Sequence, residues 1–422
     1  MTRPTPLSAR SAIEKAVSRA VEETSVLDIH THTYPPSFGG LLLWGVDELV
    51  TYHYLIAETM RAVPLAPEDF LRMPKEAQAD RIWDALFVRH SPISEACRGV
   101  LTTLTRLGLD PRRNDLSALR KHFRARKVED HVDDVFRAAN VSKVVMTNDP
   151  FDDLERTSWL DRRPVDDRFL AALRIDPILN AWPAPVDALR SWGYRVKPAL
   201  DRGCLAEVRR FLEDWAGRIK ARYMAVSLPP TFRFPEESPR AALLEKAVLP
   251  AANALGIPFA MMIGVKKNLN PALRLAGDGV GTSGTEAIEA LCAAFPRNRF
   301  LVTLLAFSDQ HAFCVAARKF PNLLPFGCWW FLNNPSLIES MTRMRLELLG
   351  PSFVPQHSDA RILDQLVYKW THFREIFARV LADKYEDLSK AGRPATEPEI
   401  RRDVAHWFSG AFEGFLANTP KG

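Results

Sequence analysis

The chain has 422 residues, 47% of them hydrophobic and 25% charged, with 56 Lys and Arg against 51 Asp and Glu for a net charge of +5. These values fit a soluble globular protein with a large core, and no apolar run approaches the ~20 residues that span a bilayer. The five cysteines, Cys97, Cys204, Cys292, Cys314 and Cys328, are widely spaced and form no Cys-x-x-Cys pair, which argues against a thiolate metal site or a disulfide frame and for a reducing cytoplasm.

The first twenty residues carry charges without an apolar core and a cleavage site, so no secretory signal is expected. Residues 9–24 have helical spacing, with Ile13, Val17, Ala20 and Val21 on one side. They lead into Val26-Leu27-Asp28-Ile29-His30-Thr31-His32-Thr33. Leu27 and Ile29 read as one face of a short strand, which places His30 and His32 together on the other. A Pro- and Gly-rich loop, residues 34–40, follows. From about residue 45 to 127 the text is helical and charged. That is too long for one barrel helix and reads as an inserted helical subdomain. Its basic clusters, around Arg112-Arg113 and Lys121–Lys127, fit solvated helix faces, and no motif for nucleic-acid binding accompanies them.

Strand and helix then alternate. Apolar runs at 141–147, 169–175, 223–228, 258–264, 299–305, 323–327 and 353–359 are each stopped by Pro, Gly, Asn or Asp and followed by helix. With the first strand this makes eight. Short, regularly spaced apolar strands of this kind predict an α/β fold, a (β/α)8 TIM barrel distorted by the insertion after strand 1 and extended by C-terminal helices over 362–417. The competing doubly wound sheet lacks a Gly-x-Gly-x-x-Gly turn after an early strand. Gly277-Asp278-Gly279-Val280-Gly281 falls in a long loop and reads as a flexible lid rather than a phosphate cradle. The expected division is 1–44 for the first helix and strand, 45–130 for the insertion, 131–385 for the remaining barrel and 386–422 for the C-terminal extension.

In such barrels the reacting groups stand at the carboxyl ends of the strands. There the sequence offers His30 and His32 from strand 1, Arg174 and Asp176 from strand 3, and His357-Ser358-Asp359-Ala360-Arg361 from strand 8. First and last strands are neighbours in a closed barrel, so Asp359 is placed to complete a site begun by the two histidines. Two imidazoles and one carboxylate suit zinc or another divalent first-row metal. The alternative for Asp359 is an N-cap of the next helix.

Beyond these residues, His53-Tyr54, Thr147-Asn148-Asp149-Pro150, Arg174-Ile175-Asp176-Pro177, Gly327-Cys328-Trp329-Trp330-Phe331 and Ser358-Asp359-Ala360-Arg361 follow in an order that resembles the uronate isomerases of the amidohydrolase superfamily, over residues 25 to about 385. The resemblance implies a metal-dependent aldose–ketose isomerase converting a hexuronate such as D-glucuronate into D-fructuronate, with a small-molecule sugar acid as partner. It implies one divalent metal, zinc first among them, on His30, His32 and Asp359. It further implies that His53, Tyr54, Arg174, Arg361 and Trp329 or Trp330 line the sugar acid, with Tyr54 or Asp359 as proton shuttle. Arginine suits the substrate carboxylate.

Each residue also has a structural alternative. His53 and Tyr54 could be buried and hydrogen-bonded, Arg174 could pair with Asp176, and at most one of Trp329 and Trp330 should touch substrate, because adjacent strand residues face opposite ways. The pattern departs from the family at the end of strand 5, where Met261-Met262-Ile263-Gly264 replaces the expected histidine, with Lys266 or Lys267 as the following basic residue. The family's Trp-Trp-Phe-Asn-Asp becomes Trp329-Trp330-Phe331-Leu332-Asn333. Two other outcomes stay open: a metal hydrolase or decarboxylase of a small carboxylated substrate, and a non-catalytic paralogue that binds a sugar acid. The hydrolase is disfavoured by Met262 and by His311, which sits in a helix pattern. Homo-oligomer formation through outer helices is a further expectation, without a marked contact surface.

Overall fold

A computed structural model describes residues 5–417. Seven parallel strands form one sheet and neighbour one another in chain order. They are β1 (Val26–Thr31), β2 (Val141–Asn148), β3 (Phe169–Arg174), β4 (Met224–Leu228), β5 (Phe259–Ile263), β8 (Phe300–Leu304) and β9 (Leu323–Pro325). Nearly every residue in them is buried, as expected of strands covered on both faces.

The eighth position is filled by an extended but irregular segment, not by the regular strand expected at 353–359. Phe326 bridges Val354 in parallel. The Val354 amide then donates to the Pro325 carbonyl at 2.9 Å, and that of Gly327 to Val354 at 2.8 Å. On the other side the Asp359 amide donates to the His30 carbonyl at 3.1 Å and that of His32 to Ala360 at 2.7 Å, closing the ring. The ladder breaks for two local reasons: Pro355 has no amide proton, and Asp359 adopts left-handed φ of 52°. The buried Asp28 carboxylate substitutes for lost ladder bonds, accepting from the Ser358 amide at 3.1 Å and the Trp370 indole at 2.9 Å.

The pairing of β1 with β2 also slips between Asp28 and Thr31. Simple alternation would put Ile29 and His30 on opposite faces. Instead, Ile29 joins the apolar cluster inside the barrel while the His30 ring packs 5.3 Å from that of His357, so the irregularity re-aims the imidazole. That interior cluster includes Ala225, Met262, Leu301 and Phe326, and Phe412 of the C-terminal helix Ala411–Ala417 joins it. A larger cluster lies between the sheet and the outer helices, among them Arg10–Glu23, Arg202–Ile219 and Gln365–Lys390.

Between β1 and β2 the chain is helical, from Val46–Val50 through Glu95–Arg106 to Val128–Ala139. These helices build an apolar cluster of their own around Phe70, Trp83 and Leu104, which also takes in Ile362 beside the closing segment. The glycine-rich stretch expected to be a lid loop is instead paired. Gly279–Val280 forms β7, antiparallel to β6 (Val265–Lys266), and the turn Pro271–Gly277 between them packs against helix His53–Ala62. Glycine is required at 277 because a Cβ there would overlap the Asn270 carbonyl. No helix among the described residues is long and apolar enough to cross a membrane.

Candidate metal centre and sugar-acid site

At the carboxyl ends of the strands a cavity of about 340 Å³ opens, within the range of small-molecule sites. The Asp359 Oδ1 lies 3.4 Å from His32 Nε2 and 3.7 Å from His30 Nε2. These three are the only group of His, Cys, Asp or Glu among the described residues arranged to share an ion. Asp359 makes no N-cap: helix Gln365–Lys390 begins only after Asp364.

The donor set fits a divalent ion. Among the described residues His30 Nε2 is buried without a hydrogen-bond partner, a costly state for an imidazole nitrogen unless a cation meets its lone pair. Burial, and then the neighbouring His32, hold the His30 imidazolium down to a pKa of about 3, and burial with Arg361 lowers His32 as well. Both rings are therefore neutral, the state that ligates metal.

The chain matches the crystal structure of a uronate isomerase from Bacillus halodurans at 53% identity over 98% of each chain, with a TM-score of 0.96. The chain belongs to the uronate isomerase family. The fold alone is shared with a uronate isomerase from Thermotoga maritima (TM-score 0.77, 15% identity, 98% of each chain). It is shared too with a glucuronate isomerase from Caulobacter crescentus (TM-score 0.76, 14% identity, 99% of this chain and 96% of that one). No family model and no curated protein matches the chain.

In this member of the uronate isomerases, His30, His32, His53, Arg174, Trp329, Trp330, Asp359 and Arg361 all line the one cavity. Both tryptophans reach it because they lie beyond β9, where strand alternation no longer applies, and Trp330 turns the chain with a left-handed φ of 47°. Arg174 grips Asp176 through two hydrogen bonds of 2.8 and 3.1 Å, while Arg361 carries no ion pair among the described residues. Tyr54 does not line the cavity. Its ring sits edge-on to His53 at 4.4 Å and tilted to Phe331 at 6.1 Å, and Tyr52 is the tyrosine in the wall. Met262 occupies the place where the sequence pattern leads one to expect histidine and lines the wall. Lys267, not Lys266, joins it and is tied to Asp278 at 2.6 Å. His311 lies exposed in helix Gln310–Ala317, away from this wall.

Several lining residues were not singled out from the sequence. Asn180 and Arg240 come from helices after β3 and β4, and Tyr52 precedes His53 by one position. Arg240 is already anchored, donating from Nε to the Leu179 carbonyl at 3.1 Å. Only the inward face Ala225–Ser227 of β4 offered a sequence signal for this rim.

His53 has a defined protonation. The Trp330 indole N–H, which can only donate, meets His53 Nε2 at 3.0 Å, so the ring hydrogen sits on Nδ1. That Nδ1 has no hydrogen-bond partner among the described residues. Burial first, and Arg361 next, push the His53 pKa down to about 3. Nitrogen NMR of the imidazole is expected to show His53 neutral, with hydrogen on Nδ1, throughout pH 8 to about 5. A titration midpoint near the ordinary value of about 6.5 would contradict this.

Proposed function

We propose that this protein interconverts a hexuronate aldose such as D-glucuronate and its 2-ketose, with zinc as the divalent ion on His30, His32 and Asp359. The observation that carries the reading is the union, in one cavity, of that triad with the guanidinium of Arg361, which has no ion pair among the described residues. Arg361 supplies a planar fork for the carboxylate that distinguishes a sugar acid from a neutral sugar. A bound divalent ion supplies Lewis acidity toward a sugar oxygen.

The isomerisation moves one proton from C2 to C1 and one from the C2 hydroxyl to the C1 oxygen. The Asp359 carboxylate is suited to take the carbon-bound proton, exchange it with solvent and protonate the adjacent carbon. His53, neutral and presenting Nδ1–H, is suited to donate to the sugar oxygen that gains negative charge as the C2 proton leaves. Tyr54 backs the His53 ring. Trp329 and Trp330 wall the site against water and give apolar faces to the carbon chain. All five cysteines are free and buried, which supports a reducing compartment such as the cytoplasm.

Incubation with D-glucuronate and D-galacturonate is expected to yield ketose, with exchange of solvent deuterium into C1 of the product. Removal of metal by chelation should abolish turnover and re-addition of zinc should restore it. Ketose formation undiminished in fully metal-free protein would overturn the reading. Hydrolytic products with no exchange would favour the metal hydrolase.

A further inference from the structure

The imidazoles of His30 and His32 are held by two hydroxyl groups in one repeated arrangement. The Tyr223 hydroxyl lies 2.7 Å from the Ile29 carbonyl and 3.1 Å from His30 Nδ1. The Thr147 hydroxyl lies 3.0 Å from the Thr31 carbonyl and 2.7 Å from His32 Nδ1. Each time, the carbonyl belongs to the residue just before the histidine.

A hydroxyl has one proton to give, and a carbonyl can only accept. The proton of each hydroxyl therefore goes to the carbonyl, and its oxygen is left to accept from the ring. If either Nδ1 were instead an acceptor, two acceptors would compete for a single hydrogen and one of the two contacts would be lost. With the ring hydrogen on Nδ1 both contacts of each hydroxyl are satisfied at once, and the Nε2 lone pair is turned toward Asp359.

We propose that Tyr223 and Thr147 are positioning residues that lock His30 and His32 as Nδ1–H tautomers, so that both imidazoles present their Nε2 lone pairs to the cation. The inference rests on the triad being a cation site. Both hydroxyls are themselves held still. Tyr223 is 1% exposed inside the barrel with its ring edge-on to Phe412, and Thr147 is 2% exposed within β2. They come from elements that neither ligand belongs to, so the triad is aligned from β2 and from the residue just before β4 as well as from β1.

Loss of such an outer partner weakens metal binding by about 10- to 100-fold. Tyr223→Phe and Thr147→Val should each do so when Zn²⁺ alone is titrated against a competing chelator, with no sugar present, while Thr147→Ser should retain wild-type affinity. Imidazole nitrogen spectra of the metal-free wild type should show hydrogen on Nδ1 of both His30 and His32. Folded Tyr223→Phe and Thr147→Val proteins with wild-type Zn²⁺ affinity, or an Nε2–H signal at either histidine, would overturn the proposal. The wild-type spectra decide if a variant fails to fold. Absence of any Zn²⁺ binding by wild-type protein that keeps both Nδ1–H signals would sink the metal reading while leaving the tautomer assignment standing.

Discussion

Asp359→Asn is expected to leave the protein folded yet reduce ketose formation by about 10²- to 10⁴-fold, the range of a lost acid–base group. The amide keeps the shape of the side chain, and asparagine is well tolerated at the left-handed φ of 52° found here. What disappears is the negative charge standing 3.4 and 3.7 Å from the two Nε2 atoms, and with it any ability to accept a carbon-bound proton. Metal content should fall in parallel, because two neutral imidazoles and an amide make a poorer set than two imidazoles and a carboxylate. Turnover within about tenfold of wild type would remove Asp359 from the proton transfer.

Gly327→Ala is expected to cost about 3–5 kcal/mol of stability, the large end of single-residue effects. Gly327 has a left-handed φ of 67°, and a Cβ there would overlap the ring of His357. That ring is fully buried, 5.1 Å from Phe326 and 5.3 Å from His30, so it has nowhere to retreat without moving His30. The backbone cannot yield either. The Gly327 amide donates to Val354, and its carbonyl accepts from the buried Arg345 at 2.7 Å. Denaturant unfolding of the variant checks the figure, and a loss below about 1 kcal/mol would mean that His357 relaxes freely.

The seven regular strands were legible because strands buried on both faces read as short apolar runs between turn residues, and each was found within a residue or two of its expected span. The pairing of His30 and His32 with Asp359 followed from barrel closure alone. What escaped depended on departures from periodicity. The slip in β1 at Asp28 and the left-handed turns at Trp330 and Asp359 leave no trace in an alternating pattern. They decide, however, that His30 faces inward and that both tryptophans reach the cavity. The ribbon holding Gly279 was missed because two-residue strands have no period to detect. Tyr223 and Thr147 stood inside recognised strands, but their partners are backbone carbonyls far away in the chain, which composition cannot indicate.

The barrel meets itself between β1 and the segment around Asp359 through a few backbone hydrogen bonds and the Asp28 carboxylate, rather than through a full ladder. An ion shared by His30, His32 and Asp359 would thus act as a clasp across an irregular seam of the ring, joining parts of the chain more than 300 positions apart. Metal at 100 times its dissociation constant would add about 2.7 kcal/mol to the folded state. The cation would accordingly serve endurance as much as chemistry, and the melting temperature would report its presence before any sugar is added.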